Sequence, residues 1–311
     1  MCAQSITGSI SGTVKDPTGA VVSGATVSVV HNDTGVTVRT LKTDGSGNYS
    51  AQLLPIGHYQ ITAEATGFSK SVRKGIELNV NDKLTENLTL QVGSTQENVT
   101  VEANPMQVEL HSATATGVVD GTQIRELSLN TRNYEQLVTL VPGVSSSATS
   151  SQIYPGAFAP LGTNVVTFSI NGARTSQNNW TIDGADNVDR GSNLTLLSFP
   201  SVDAIDEFKV VRGAYEPEFG RGGGAQVNVV TKSGSNAFHG SGYEFFRNDV
   251  LTANNFFTNK AGLARPPLRY NNFGWTLGGP VVIPHVYNQS RQKTFFFFSE
   301  EFRRTITYNG T

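Results

Sequence analysis

The run SINGARTSQNNWTIDG, residues 169–184, lies at the centre of a region in which short strands alternate with turns. Its last two residues, Asp183-Gly184, mark a turn because both residue types tolerate the backbone angles that tight turns require. The β-prone runs in and around it are Val165 to Asn171, Phe208 to Val211 and Gln226 to Thr231. We therefore predict an α+β domain of short helices and strands over residues 104–235.

The clearest helix signal in this domain lies upstream of that run. Bulky residues recur there at i, i+3, i+4 and i+7, namely Tyr134, Leu137, Val138 and Val141. Asn130 or Thr131 is placed to cap the helix N-terminus, and Pro142-Gly143 ends the helix. The Ser-rich stretch from Ser145 to Ser151 follows and is expected to be mobile.

Residues 5–92 have the pattern of a small all-β domain. The β-prone runs are Ser9 to Val14, Ala25 to Val30, Gly35 to Leu41, Tyr49 to Leu53, Tyr59 to Ala65 and Leu84 to Val92. Turn clusters such as Asp16 to Gly19 and Asp44 to Asn48 separate them. Turn signals about every 8–12 residues are typical of a β-sandwich. A polar linker, residues 93–103, connects this domain to the next.

The pattern changes again in the last segment, residues 236–311. Aromatic residues alternate there with small or polar ones in two runs, Tyr243 to Phe245 and Phe273 to Gly278, and a third run starts at Thr294. Such segments are typical of the strands of a membrane β-barrel. The connection 248–270 is long and polar while 284–293 is shorter, so the first strand is expected to run outward, towards the long extracellular loops.

Composition argues against several classes of function. Lys and Arg number 23 against 25 Asp and Glu, so the charge balance gives no basis for nucleic-acid binding. The single cysteine, Cys2, excludes an intrachain disulfide. The first residues, Met1 to Gln4, fit either the tail of a signal peptide or an ordinary start.

Motifs for catalysis or cofactor binding are also missing. None of the five histidines belongs to an H-E-x-x-H motif, so no zinc-protease site is predicted. Gly220 to Ala225 formally matches G-x-G-x-x-A, but the run that follows is strand-like, whereas a dinucleotide site needs a helix N-terminus there. We therefore predict no enzyme activity, no cofactor and no metal. Asp183 and Asp186 could contact a ligand, although a turn role is favoured.

Residues 5–92 resemble the carboxypeptidase regulatory-like domains. The resemblance is carried by Gly12-Thr13-Val14 with Asp16, Gly24 to Val27, Asp44 to Tyr49, Leu54 to Tyr59 and Gly67-Phe68. It implies a seven-stranded sandwich with a carbohydrate-binding-like fold.

Residues 117–304 resemble TonB-dependent receptors, in particular the Oar-like group that carries such an N-terminal domain. The plug motif resembles the family's at Asn171, Gly172, Arg174, Asp183, Gly184, Gly220 and Arg221. Further matches are Pro142-Gly143-Val144, Asp203 to Val210, Val227 to Gly234, Phe238-His239-Gly240, Phe246 to Asp249, Asn272-Phe273-Gly274, Gly278-Gly279-Pro280 and Lys293 to Phe297.

The resemblance implies a plug within a barrel of about 22 strands in the outer membrane of a Gram-negative bacterium, with the N-terminal domain in the periplasm. It also implies partners: outer-membrane lipid, the TonB energy-transducing complex, and an unknown substrate (carbohydrate, peptide or protein) that is imported or exported. Three strands are too few for that barrel, so on the order of several hundred further residues are expected.

The family's TonB box lies just before the plug, and its position here is a segment that we call the box segment: Glu97, Asn98, Val99, Thr100, Val101, Glu102 and Ala103. A short β-prone segment on a flexible linker suits capture by strand addition to a partner's sheet edge. An ordinary interdomain linker is the alternative for this segment. For the whole chain, the alternative function is a cell-surface carbohydrate-binding or adhesive β-protein.

Overall fold

A computed structural model describes residues 6–93, 98–102, 115–127, 129, 132–146, 168–213 and 222–307. Within it the chain divides into two compact units, Met1–Lys232 and Ser233–Thr311. Strands dominate both units, which confirms the mainly β fold class. No helix among the described residues is long and apolar enough to span a bilayer.

The first unit begins with a β-sandwich. Its strands are β1 (Thr7–Lys15), β2 (Thr26–His31), β3 (Val36–Lys42), β4 (Asn48–Pro55), β5 (Gly57–Glu64), β6 (Lys70–Leu78), β7 (Lys83–Thr85), β8 (Leu88–Thr89) and β9 (Asn98–Glu102). One sheet has the order β4-β1-β7, with β8 also paired to β1, and the other has the order β3-β2-β5-β6-β9. Alternate residues of β1, β2 and β5 face inward, and Ile10, Val27 and Ile61 are fully buried.

The predicted α+β domain, whose motifs resemble those of a plug and which we call the plug, follows in the same unit. Its elements are β10 (Ala115–Asp120), α1 (Gly121–Glu126), β11 (Val144–Ser146), β12 (Phe168–Ile170), β13 (Asn179–Ile182), β14 (Ala185–Asp186), β15 (Ile205–Arg212) and β16 (Ala225–Thr231), with 3₁₀ helices at Tyr134–Leu140, Thr175–Gln177 and Val202–Ala204. The main sheet has the order β10-β15-β16-β13-β14, and β11 and β12 form a separate hairpin. An aromatic cluster of Tyr134, Phe168, Trp180 and Phe208 fills its core.

The second unit is a three-stranded antiparallel sheet. Its strands are β17 (His239–Asn248), β18 (Leu268–Pro280) and β19 (Phe295–Thr307), in that order across the sheet. The connection between β17 and β18 contains a 3₁₀ helix at Asp249–Leu251 and the short helix α2 (Phe256–Lys260). The three predicted barrel strands are therefore all present, paired in sequence order.

Register decides which aromatic residues share a face of this sheet. Trp275 lies between Gly242 and Glu300 across the strands, and its ring centroid is 5.0 Å from that of Phe298. Phe245 pairs instead with Asn272, which in turn pairs with Arg303, so Phe245 lies on the opposite, more polar face.

The aromatic residues of the second unit therefore do not form one apolar surface. Phe273 and Trp275 share one face with Phe298 and Phe302, whereas Phe245 and Phe297 lie on the other face. On that second face Tyr243 lies level with Glu301 and donates its hydroxyl to the Glu301 carboxylate at 3.1 Å.

Several predicted boundaries are wrong. The helix is a 3₁₀ helix that begins at Tyr134, and Asn133 caps it by accepting the Glu135 amide; Asn130 and Thr131 lie outside the described residues. The run from Leu84 to Val92 is broken into β7 and β8, because it pairs with β1 in two separate parallel stretches.

Three further differences concern strands β6, β11 and β12. The sequence pattern did not predict β6, in which charged residues alternate irregularly with buried ones and the left-handed Gly75 interrupts the alternation. Ser145 and Ser146 belong to β11, whereas 147–151 lie outside the described residues. The predicted strand from Val165 is described only from Phe168 to Ile170.

Candidate functional site

The box segment contains a strand of the sandwich. Residues Asn98–Glu102 form β9, which runs parallel to β6 with Ser71 opposite Val99 and Arg73 opposite Val101. The two ends of the box segment, Glu97 and Ala103, lie outside the described residues. The described part is therefore tied by backbone pairing to a neighbouring strand, where the sequence predicted a free linker.

The sandwich also contacts the plug through the turn that follows β6. In this turn Asn81 has a left-handed backbone (φ 59°), and the Asp82 carboxylate accepts the Asn79 amide at 2.9 Å. The turn directs two groups at strand β15 of the plug. The Val80 amide donates to a Glu207 carboxylate oxygen at 2.6 Å, and the Lys209 ammonium lies 2.5 Å from Asp82.

These interdomain groups are withdrawn from water. Lys209 is 2% exposed, and Glu207 and Asp82 are also buried. The pKa of Glu207 is raised to about 7, mainly by burial. The hydrogen bond from the Val80 amide and the Lys209 charge oppose this shift, while the carboxylates of Asp82 and Asp206 add to it. The contact thus places one ammonium group among carboxylates in a low-dielectric site. There, removing the partner of a buried charge is destabilising, because the charge is left uncompensated.

A second group of charges lies close to this contact. Burial raises the pKa of Asp206, while the nearby Lys232 ammonium opposes that shift. In the sandwich, the Asp33 carboxylate is 3.3 Å from His58 Nδ1; it raises the pKa of His58, and the same contact lowers the pKa of Asp33. Among the described residues no three His, Cys, Asp or Glu side chains are grouped to hold a metal ion.

The first part of the plug motif, Asn171-Gly172, forms a tight turn after β12. Both residues have left-handed backbones (φ 52° and 74°), and the Ala173 amide closes the turn by donating to Ile170 O at 3.0 Å. Two left-handed central residues are the requirement of a type I′ turn, which explains the Asn-Gly sequence. The Asn171 amide also donates to Gly143 O at 2.9 Å, which links this motif to Pro142-Gly143-Val144.

The second part, Asp183-Gly184, forms a turn of the same kind between β13 and β14, with φ of 48° and 76°. The Asp183 carboxylate accepts both the amide and the hydroxyl of Thr231, at 2.9 and 2.7 Å. Asp183 therefore ties a hairpin to the end of β16. Asp186, the other candidate ligand contact, forms an ion pair with Arg190.

The remaining motif positions differ in what the structure describes. Arg174 is exposed at the start of the 3₁₀ helix Thr175–Gln177, while Gly220 and Arg221 lie outside the described residues. After them, Gly222 and Gly224 let the chain pass close to the Gln177 carbonyl, because a Cβ on Gly222 would lie 2.4 Å from that oxygen. Strand β16 then begins directly at Ala225, so the glycines precede a strand, as the sequence predicted, and not a helix.

Sequence reasoning did not find the interdomain contact of Asp82, Glu207 and Lys209. One signal was available, because Lys209 stands alone among apolar neighbours in Phe208-Lys209-Val210-Val211. A single charge in a strand buried on both faces needs a buried partner. The position of Asp82, 127 residues earlier, could not be inferred from the chain itself.

Comparison with known proteins assigns three domains to the chain. Residues 9–91 match the carboxypeptidase regulatory-like domain, residues 109–227 the TonB-dependent receptor plug domain, and residues 230–311 an outer membrane beta barrel domain. The TonB-dependent transporter Oar of Myxococcus xanthus is 29% identical over 286 residues, which are 86% of this chain and 24% of Oar. The chain thus spans about a quarter of the length of that relative.

Solved structures with some similarity include the siderophore receptor PirA of Acinetobacter baumannii, at 18% identity and a TM-score of 0.41, covering 61% of this chain and 24% of PirA. Another is the ferric enterobactin receptor PfeA of Pseudomonas aeruginosa, in a Q482A mutant form, at 17% identity and a TM-score of 0.35. This match covers 54% of this chain and 22% of PfeA.

Plug and barrel domains of this kind lie in the Gram-negative outer membrane, with the plug on the periplasmic side. TonB-dependent transporters generally interact with TonB and are generally not enzymes. The regulatory-like domain, the plug and the barrel domain follow one another here in the same chain. These three domain matches and the similarity to Oar together support a TonB-dependent receptor of the Oar-like type.

Proposed function

We propose that the protein moves a substrate across the outer membrane with energy supplied by the TonB complex, and that it has no enzymatic role. The observation that carries this proposal is the plug domain between a regulatory-like sandwich and barrel strands. The substrate belongs to the carbohydrate, peptide or protein classes, and the direction is import or export. The proposed division of the chain is 5–92 sandwich, 93–103 connection with the box segment, 104–235 plug and 236–311 barrel strands.

The box segment is the proposed contact with TonB. Two observations support this assignment: it directly precedes the plug domain, and its described part is already an extended strand. Extended segments bind partner proteins by adding a strand to an open sheet edge, where backbone groups supply the affinity.

Binding of the full chain to a TonB C-terminal domain, measured by calorimetry, tests the proposal. Val99→Pro removes a backbone donor from the box segment and restricts the preceding residue, so we expect binding to weaken by at least about tenfold. Val99→Thr is the matched control, because it keeps the β-branched shape and the donor, and it should bind like the parent chain. Equal binding by all three chains would show that the box segment is not the contact with TonB.

The alternative function, a surface carbohydrate-binding or adhesive protein, would use the sandwich alone. Such a protein has no need of the Asn171-Gly172 and Asp183-Gly184 turns, which both belong to the plug match. Uptake or secretion assays in cells with and without TonB would separate the two functions, since an adhesin would act equally in both.

A further inference from the structure

Strand β9 is the last strand of its sheet. The sheet has the order β3-β2-β5-β6-β9, so one edge of β9 pairs with β6. Within the part of the chain that the structure describes, no strand pairs with the other edge of β9. An edge strand presents a row of backbone donors and acceptors that is available to an added strand.

The strand that holds β9 is firmly anchored. Strand β6 pairs antiparallel with β5 on its other side, and its residues Ile76 and Leu78 are buried in the sandwich core. The pairing of β6 with β9 extends over five consecutive residues, from Lys70 opposite Asn98 to Lys74 opposite Glu102. The sandwich therefore fixes both the extended conformation and the register of the central box segment.

We propose that the regulatory-like sandwich presents the box segment as the open edge strand of its own sheet, and that TonB adds an extended strand to this edge while β9 stays paired with β6. The inference rests on the proposed function and adds a role for the sandwich. In this arrangement the partner completes a continuous sheet that runs from the sandwich into TonB.

The physical advantage is pre-ordering. A flexible linker loses backbone freedom when it is captured as a strand, and this loss weakens binding. Strand β9 has already lost that freedom through its pairing with β6, so presentation should strengthen binding by TonB. If the sandwich instead sequestered the segment, binding by TonB would be weakened, because β9 would first have to detach from β6.

A reversible cross-link distinguishes these two cases. Lys74 is exposed and lies opposite Glu102 at the end of the paired region. Neighbouring strands are about 4.8 Å apart, within the Cα separation that a disulfide bridges. The test chain comprises all 311 residues and carries Lys74→Cys and Glu102→Cys, together with Cys2→Ser to remove the one native thiol. The register control replaces Glu102→Cys by Asn98→Cys, which moves the second thiol about 13 Å along the strand and should not cross-link.

Binding of a TonB C-terminal domain is then measured by calorimetry before and after reduction. We expect the oxidised, locked chain to bind as tightly as the reduced chain or up to about tenfold tighter. Binding that is weaker by more than about threefold in the locked chain would show that TonB needs the edge paired with β6, and would overturn the proposal.

Two other outcomes also overturn it, in distinguishable ways. Failure of the Lys74→Cys, Glu102→Cys chain to cross-link, together with unprotected 98–102 amides in hydrogen exchange of the unmodified chain, would show that β9 is not held on β6. A chain that cross-links, keeps those amides protected and yet binds no TonB domain in either state would refute the proposed function of the segment, while leaving its place in the sandwich intact.

Discussion

Replacing Asp82 by Asn removes one charge from the contact between the sandwich and the plug while almost preserving the shape of the side chain. At the observed 2.5 Å, the attraction between Lys209 and Asp82 is about 7 kcal/mol for an effective dielectric constant near 20. Removing two ions from water costs several kcal/mol each, so the intact pair has a net contribution near zero. Breaking it from one side, however, leaves a buried ammonium group without this partner, which typically costs about 3–5 kcal/mol.

The lower end of that range is expected for Asp82→Asn, because Glu207 remains close enough to interact with Lys209. Lys209→Met should be similarly destabilising, since it leaves Asp82 beside Glu207. The double variant should lie within about 1 kcal/mol of the parent chain, because neither buried charge is then left alone. The double variant should therefore be much more stable than the sum of the two single effects predicts, although the two residues are 127 positions apart in the sequence.

Urea unfolding followed by tryptophan fluorescence measures these effects. The chain has two tryptophans, and Trp275→Phe leaves fully buried Trp180 as a reporter of the plug. With a slope of about 1–3 kcal/mol per M, the single variants should lower the unfolding midpoint by about 1–3 M. Glu64→Gln is the control, because it breaks the more exposed Lys70–Glu64 pair and should change stability by less than about 1 kcal/mol. If the double variant is as unstable as the single ones, the contact is not an interdependent pair and the reasoning fails.

Three further outcomes are expected. The pKa of Glu207 is raised from 4.5 to about 7, so its stabilising contribution is complete below about pH 4.5 and lost by about pH 7. Glu207→Gln keeps an acceptor for the Val80 amide, and its stability relative to the parent chain should therefore rise between pH 5 and pH 8 in urea unfolding; a constant difference would contradict this. Gly224→Ala places a Cβ 2.4 Å from Asn178 Oδ1 and should destabilise the plug by about 1–3 kcal/mol in the Trp180 assay, whereas Gly19→Ala, whose Cβ meets no atom, should cost only about 1 kcal/mol through its left-handed backbone. Deleting residues 238–311 should raise the soluble yield, because β19 ends the sheet and Trp275, Phe298 and Phe302 are at least 40% exposed; a lower yield would indicate that this unit packs as a globular domain.

The sequence by itself determined the local elements and the class of the protein. Turn residues such as those at Asp44 to Asn48 and Asp183-Gly184 have chemical preferences that act over a few residues, so the sandwich strands and the plug hairpin were predictable. Alternation of aromatic and polar residues likewise indicated the three strands of the second unit. The order of motifs indicated the family, because each motif is a short run of residues that can be recognised without knowing which other residues it contacts.

Only the tertiary structure decided the features that depend on contacts between residues distant in the sequence. Strand β6 was not predicted because its charged residues and left-handed Gly75 disturb the alternation, and only pairing with β5 on one side and β9 on the other makes it a strand. Pairing register also assigned Phe245 to the polar face and Trp275 to the aromatic one. The contact of Lys209 with Asp82 joins residues in different domains. The edge of a strand and a buried charge can pair with many different partners. The sequence around each of them therefore does not predict which partner the folded chain brings to it.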